Sequence, residues 1–267
     1  MQSKFNQWVI PAILVAGAGA VAWFYWARLS QQTMQTVTLS EPQIEVPAEL
    51  PGPLHPLESV AGPRTDREEL VPLPPLDRSD DYLKIEAAGI FGDSINGILA
   101  ESGLIERMVA TIDNLPRSHV SERIRPVGGL DTPFLVDGQD GSGEYFISVD
   151  NSRRYAALVE MVEAADLDAL TDLYRRYYPL FQDAYASLGY PDAYFNDRLV
   201  EVIDHLLATP EVSGPIELVR PHVMYEYSDP DLEALSSGQK LLLRMGSENA
   251  SQIKRTLSEL RQRITAL

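Results

Sequence analysis

Glu201, Asp204 and His205 are the residues of this 267-residue chain whose types and spacing come closest to chemistry. Steps of three and four put two carboxylates and an imidazole on one face of a helix, where oxygen and nitrogen donors can converge on a cation. The same two carboxylates have the composition of an acid and base pair. Against this, Leu199, Val202, Ile203, Leu206 and Leu207 make the opposite face apolar, so the pattern also describes the solvated side of an amphipathic helix. No second histidine lies nearby in sequence. The expectation is a solvated face with no metal, and no cofactor.

Other motifs are absent or incomplete. The stretch from Asp137 to Glu144 has oxygen donors and glycines but lacks the alternate acidic positions of an EF-hand loop, and it reads as a hairpin loop. No G-x-S-x-G, G-x-G-x-x-G or G-x-x-x-x-G-K-[ST] occurs anywhere. The chain has no cysteine, which removes disulfides, thiolate catalysis and Cys-ligated metal sites.

Eight of the twelve tyrosines lie between Tyr174 and Tyr227. Some belong to a core. Tyr194, together with Asn196, Arg198, Arg220 and His222, has the side chains of a groove in which rings stack and polar groups orient a peptide or sugar. Aromatics at helical spacing describe plain packing equally well. Asp113, Asn114 and Arg117, beyond a helix end, form either part of such a site or an internal polar network that fixes the loop.

The elements that must position these residues are mostly helical. Ser102 is placed to cap a helix with Leu104, Ile105, Met108, Val109 and Ile112 on one face, ending before Pro116. Phe134–Val136 and Tyr145–Val149 flank a turn-rich loop and predict a β-hairpin. Asp150 or Asn151 opens a helix to about Ala165. The spacing of Leu170, Tyr174, Tyr177, Phe181, Ala184 and Leu188 predicts a helix over 167–188, with a kink at Pro179. Asp192 or Asn196 starts the next helix, to Ala208. Residues 216–227 read as extended or irregular around Pro221. Ser228 or Asp229 caps a helix with Pro230 at its first position, and Ser247 caps the last. In that last helix Ala250, Ile253, Leu257, Leu260, Ile264 and Leu267 make one narrow seam on a segment with a surplus of basic residues, which predicts docking onto the acidic remainder of the chain.

Ahead of this domain, residues 8–26 are uncharged, apolar and closed at each end by tryptophan. At about 1.5 Å per residue the run spans roughly 28 Å, the thickness of a bilayer interior, and Trp23, Phe24, Tyr25 and Trp26 match an interfacial aromatic belt. A cleaved signal peptide is the alternative, since Ala16-Gly17-Ala18 and Ala20-Val21-Ala22 have the small-x-small form. All 39 acidic residues follow the run, and that balance disfavours nucleic acid as a partner. Residues 30–80 are rich in proline without apolar period and read as a disordered linker. The chain thus divides into an anchor (1–29), a Pro-rich linker (30–80) and a mostly helical soluble domain with a small β-hairpin (81–267). In fold class it is mainly α with a single N-terminal transmembrane helix.

Three segments, Val109–Arg117, Phe195–Leu207 and Gly238–Gly246, resemble the bacterial family called domain of unknown function 3014. The resemblance covers most of residues 80–265. It implies a bacterial envelope protein with one N-terminal hydrophobic segment and a mostly helical domain, and it supplies no catalytic residues. Two function classes follow as expectations. One is a single-pass inner-membrane protein, bound to the bilayer through residues 8–26, whose periplasmic domain binds an envelope protein or polymer as an interaction or scaffold module. The alternative is an envelope enzyme acting on peptidoglycan or another exported polymer through carboxylates such as Glu201 and Asp204.

Overall fold

The structure, a computed structural model, describes residues 52–57, 72–129, 132–138 and 143–266. The uncharged run at 8–26, most of the Pro-rich stretch, residues 139–142 of the hairpin loop and Leu267 lie outside the described residues. No helix among the described residues is long and apolar enough to cross a membrane.

The domain is mainly helical with one small antiparallel sheet. In chain order its elements are α1 (Asp80–Phe91), α2 (Leu104–Asn114), β1 (Val136–Gly138), β2 (Tyr145–Ile147), α3 (Arg153–Glu163), α4 (Leu167–Ser187), α5 (Phe195–Leu207), β3 (Glu217–Val219), β4 (Glu226–Tyr227), α6 (Pro230–Glu233), α7 (Ser237–Met245) and α8 (Ser247–Thr265). α4 is held at its start by Asp166, whose carboxylate accepts from the Asp168 and Ala169 N–H groups. It runs as one element through Pro179, with Tyr177, Leu180 and Phe181 buried around the proline.

α5 is the centre of the packing. Phe195 joins Leu104, Ile105, Val109, Tyr177 and Phe181 in a core between α1, α2 and α4. Val202 and Leu206 join Tyr155, Val159, Leu242 and Met245 from α3 and α7. Val200 and Ile203 meet Ile264 of α8. The seam of α8 is therefore spent inside the molecule: Ala250, Ile253 and Leu257 pack on the second core, and Leu257 and Leu260 on the third. Its basic residues meet acidic neighbours on other helices, Arg261 with Asp204 and Arg263 with Asp168.

The predicted hairpin is half of a sheet. The strand order is β1-β2-β3-β4, every pair antiparallel. Residues 216–227, expected to be irregular, supply two strands because Leu218 and Tyr227 align in register with Tyr145 over Leu243 of α7. Pro221 stays in the connection, where it removes no ladder bond. The helix expected after Asp229 is two: Asp229 caps the single turn of α6, and Ser236 with Gln239 makes a reciprocal capping box at the start of α7.

Further expectations change, among them the cap of α8, where Gly246 and not Ser247 holds the N-terminal cap position. Ser102 does not cap α2; the Gly103 and Leu104 N–H groups donate to the Asp80 carboxylate, each at 2.8 Å. The cap comes from 23 residues upstream and ties the start of α1 to the start of α2. The stretch 30–80, read as one disordered linker, contains two pieces seated on the domain. Leu73 and Leu76 pack on the first core, and residues 52–57 lie against α5. In each case a leucine that directly follows a proline finds apolar neighbours.

Candidate functional site

Three consecutive residues at the start of α5 reach in three directions. Arg198 turns toward the end of α2, where its Nε donates to Asp113 Oδ1 at 2.9 Å and its Nη2 to the Asp113 carbonyl at 2.9 Å. Its Nη1 donates to Glu201 Oε2 at 2.8 Å. Arg117, one turn beyond Asp113, donates to Asp113 Oδ2 at 2.8 Å and to the Tyr190 hydroxyl at 3.3 Å. Asp113 is 2% exposed, so its charge is stable there only because two guanidinium groups and their hydrogen bonds replace water. Burial opposes the charge on Arg198, but the Glu201 and Asp113 carboxylates more than offset it and hold its pKa above the ordinary arginine value. For the Tyr185 phenol burial acts in the opposite sense and is the main cause of a raised pKa, followed by the charge of Asp113. This cluster clamps α2 to α5.

Asn196 turns inward. It is 1% exposed, accepts from the Tyr174 hydroxyl at 3.2 Å and donates to the Ile264 carbonyl at 3.2 Å, one of the carbonyls at the end of α8 that no helical N–H serves. Its amide also donates to the His55 carbonyl at 2.8 Å. Burial, followed by the charges of Tyr178 and Asp197, raises the Tyr174 phenol well above its usual value. Around it Phe181 and Phe195 stack at 5.6 Å between centroids, and Gln182 accepts from the Phe195 N–H at 2.9 Å. Tyr174, Tyr177, Tyr178, Tyr185 and Tyr190 thus pack around the α5 entry, whereas Tyr225 and Tyr227 belong to the sheet.

Asp197 turns to residues 52–57. Its two oxygens accept the N–H groups of Leu54, at 2.9 Å, and His55, at 2.7 Å. Leu57 packs on the core made by Val200, Ile203 and Ile264. Sequence reasoning singled out Asn196 and Arg198 but passed over Asp197. Its position between them was the signal.

The remaining predicted residues are divided. Asp113, Arg117 and Arg198 come together; Asn196 adjoins them; Tyr194 is the residue that precedes α5 and caps it with no side-chain bond. Arg220 and His222 belong to the β3–β4 connection on the sheet, where Arg220 lies over the Tyr225 ring. Glu201, Asp204 and His205 share the helix face as the spacing predicts, but each has its own partner. Glu201 pairs with Arg198, Asp204 holds Arg261 through both oxygens, and His205 Nε2 lies 2.8 Å from Ser236 Oγ. Glu201 and Asp204 are exposed, as a solvated face requires, and the same face also carries surface contacts, from Asp204 to α8 and from His205 to the residue that caps α7. No group of three metal-ligating side chains occurs among the described residues. The Ser-x-x-Gln spacing marks the Ser236–Gln239 capping box, but no local pattern points to the His205 contact.

These contacts account for the motifs of the sequence. A family model for proteins of unknown function, DUF3014, matches residues 104–261, more than half of the chain. The chain belongs to the DUF3014 family. The matched span opens on the first residue of α2 and ends inside α8, so it holds Asp113, Asn196, Asp197 and Arg198 but not residues 52–57. Within this DUF3014 domain Gly238 is a point of close approach. A Cβ there would lie 2.6 Å from Leu206 Cδ2 and 3.2 Å from the Leu115 carbonyl, to which the Gly238 N–H donates. Gly246, at φ 84°, turns the chain between α7 and α8 in the region that favours glycine. Neither curated proteins nor solved structures gave a match.

Proposed function

We propose that this DUF3014 protein is a membrane-tethered interaction or scaffold protein of the bacterial cell envelope. In this reading residues 8–26 anchor the chain in the inner membrane with the N-terminus in the cytoplasm. The Pro-rich stretch spaces the domain from the bilayer, and the domain meets a protein or polymer partner in the periplasm. The aromatic ends and bilayer-matched length of the run support the anchor. The formal charge of −17 supports a partner other than nucleic acid.

The observation that carries the interaction reading is the seating of residues 52–57 on Asn196 and Asp197, since it gives the domain side chains already arranged around a short segment of polypeptide. The carboxylates that the enzyme alternative needs are engaged elsewhere: Glu201 with Arg198 and Asp204 with Arg261. Alkaline phosphatase fused after Leu267 tests the topology in cells. The expected result is an active fusion that stays in the membrane fraction through high-salt washing. An inactive phosphatase fusion beside a fluorescent-protein fusion that glows would overturn it.

A further inference from the structure

Residues 52–57, Gly-Pro-Leu-His-Pro-Leu, are held by features that do not depend on most of their own side chains. The Leu54 side chain is not what is recognised, since Leu54 is 82% exposed. Two successive main-chain N–H groups converge on the Asp197 carboxylate, the way a bent backbone binds an anion. The next carbonyl, that of His55, receives the Asn196 amide. Leu57 alone enters the core, against Val200, Ile203 and Ile264.

We propose that Asn196, Asp197 and this apolar floor form a peptide-binding site for a Pro-x-x-Pro-Leu segment, filled in this chain by its own residues 53–57 and open to the same motif on a partner. The proposal rests on the reading of the domain as an interaction module and names the ligand class of that module. The chemistry selects the motif position by position. Pro53 and Pro56 have fixed φ and no N–H, so the free segment has few conformations to lose and presents the two amides between them as a pair. Bonds from neutral amides to a carboxylate are of the strong, charge-assisted kind. The leucine after the second proline supplies the apolar anchor.

The amide donor of the site is built in advance. Asn196 is fixed by Tyr174 and Ile264 whatever lies at position 55. The site's polar residues lie within the stretch shared with the family, whereas the occupant lies outside it. A segment tethered to its own site competes at an effective concentration on the order of millimolar. A partner must therefore carry several copies of the motif or bind it more tightly, and its binding frees residues 52–57 and lengthens the tether.

The test uses the full chain in detergent micelles and a fluorescein-labelled synthetic peptide with the sequence of residues 51–58, followed by anisotropy. A chain in which residues 52–57 are replaced by Gly and Ser should bind the probe about tenfold or more tightly than the wild type, because the resident competitor is gone. Asp197→Ala in the replaced chain should weaken binding about tenfold or more. A probe N-methylated at the amides that correspond to Leu54 and His55 should lose binding to a similar extent with the protein untouched. The proposal is overturned if the probe binds neither chain, if it binds both equally, or if N-methylation leaves affinity unchanged. A phosphatase fusion that is active while the probe fails would sink this site and leave the membrane-tethered reading standing.

Discussion

Asp113 and Asp197 both meet the first turn of α5, Asp113 through Arg198 and Asp197 as a residue of that turn, and the two carboxylates are used in opposite ways. Asp113 is saturated by side chains, Arg198 and Arg117, both within the stretch shared with the family. Asp197 is saturated by the main chain of a segment outside it. A buried carboxylate closed by two arginines has nothing to exchange: removing either partner strands a charge, so the cluster behaves as a clamp. A carboxylate that accepts amides can trade one backbone for another at little cost, which is the property of a recognition site. The contrast separates what holds this domain together from what it can hold.

The clamp is where the largest effect is expected. Asp113→Ala leaves Arg198 partly buried against an empty position and should destabilise the domain by about 3 kcal/mol in urea unfolding, near the lower end for breaking a buried pair. The lower end applies because the Arg117 side chain is 54% exposed and water can take over its charge. A change below about 1 kcal/mol would show that the cluster is not a clamp and would reopen Asp113 as a functional group.

The sequence anticipated these features unevenly, and the division follows distance along the chain. Helical period gave α4 to within a residue and placed the apolar seam of α8, because both depend on spacing within one element. The Asp113 and Arg117 pairing was within reach for the same reason, being four residues apart. Arg198 lies 85 residues from Asp113, and Arg261 lies 57 from Asp204. No local rule pairs them, so the exposure of Glu201 and Asp204 was legible while the contacts of that face with α7 and α8 were not. The sheet was half seen because all four strands are too short to show alternation, and only the β1–β2 turn is marked by glycines, whereas the β3–β4 connection holds Pro221 and no glycine. Residues 52–57 were absorbed into the linker because proline dominates their composition. What decides their place is two amides, a carbonyl and Leu57, and composition registers none of the three bonds.

Glu233 combines both modes. It accepts the Tyr227 main-chain N–H at 2.8 Å and pairs with Lys240. Burial raises its pKa, but the hydrogen bonds from Lys240 and the Tyr227 amide outweigh that and hold it below the ordinary glutamate value. A lowered folded-state pKa means that the unfolded chain takes up the proton first as pH falls. The stabilisation is therefore complete above the ordinary glutamate pKa, about 4.3, and disappears as pH drops through the lower folded value. Glu233 is partly exposed, so solvent screens much of the effect. Glu233→Gln should lower the melting temperature at pH 7 slightly and flatten its fall between about pH 5 and pH 3. A mutant whose acid profile superimposes on that of the wild type would show that Glu233 takes no part in acid sensitivity.

Asp197 should show the most local effect. Its partners are two amides of a segment whose leucine at position 54 faces solvent, and its side chain is not enclosed by other charges. Asp197→Ala should therefore lower the unfolding free energy by about 1.4 kcal/mol, the equivalent of the roughly tenfold docking that the segment supplies to the folded state. Hydrogen exchange should nevertheless change sharply at two positions: the Leu54 and His55 amides, protected by the carboxylate in the wild type, should exchange at nearly the rate of an unstructured chain. Amides of α5 and α8 should keep their protection, because Asn196, Val200 and Ile264 still pack as before. If protection across α5 collapses together with that of Leu54 and His55, residues 52–57 are part of the domain's fold and cannot be exchanged for a partner. If the two amides stay protected, Asp197 does not hold the segment and the contrast with Asp113 fails. Loss confined to the two amides is the outcome that a replaceable occupant requires.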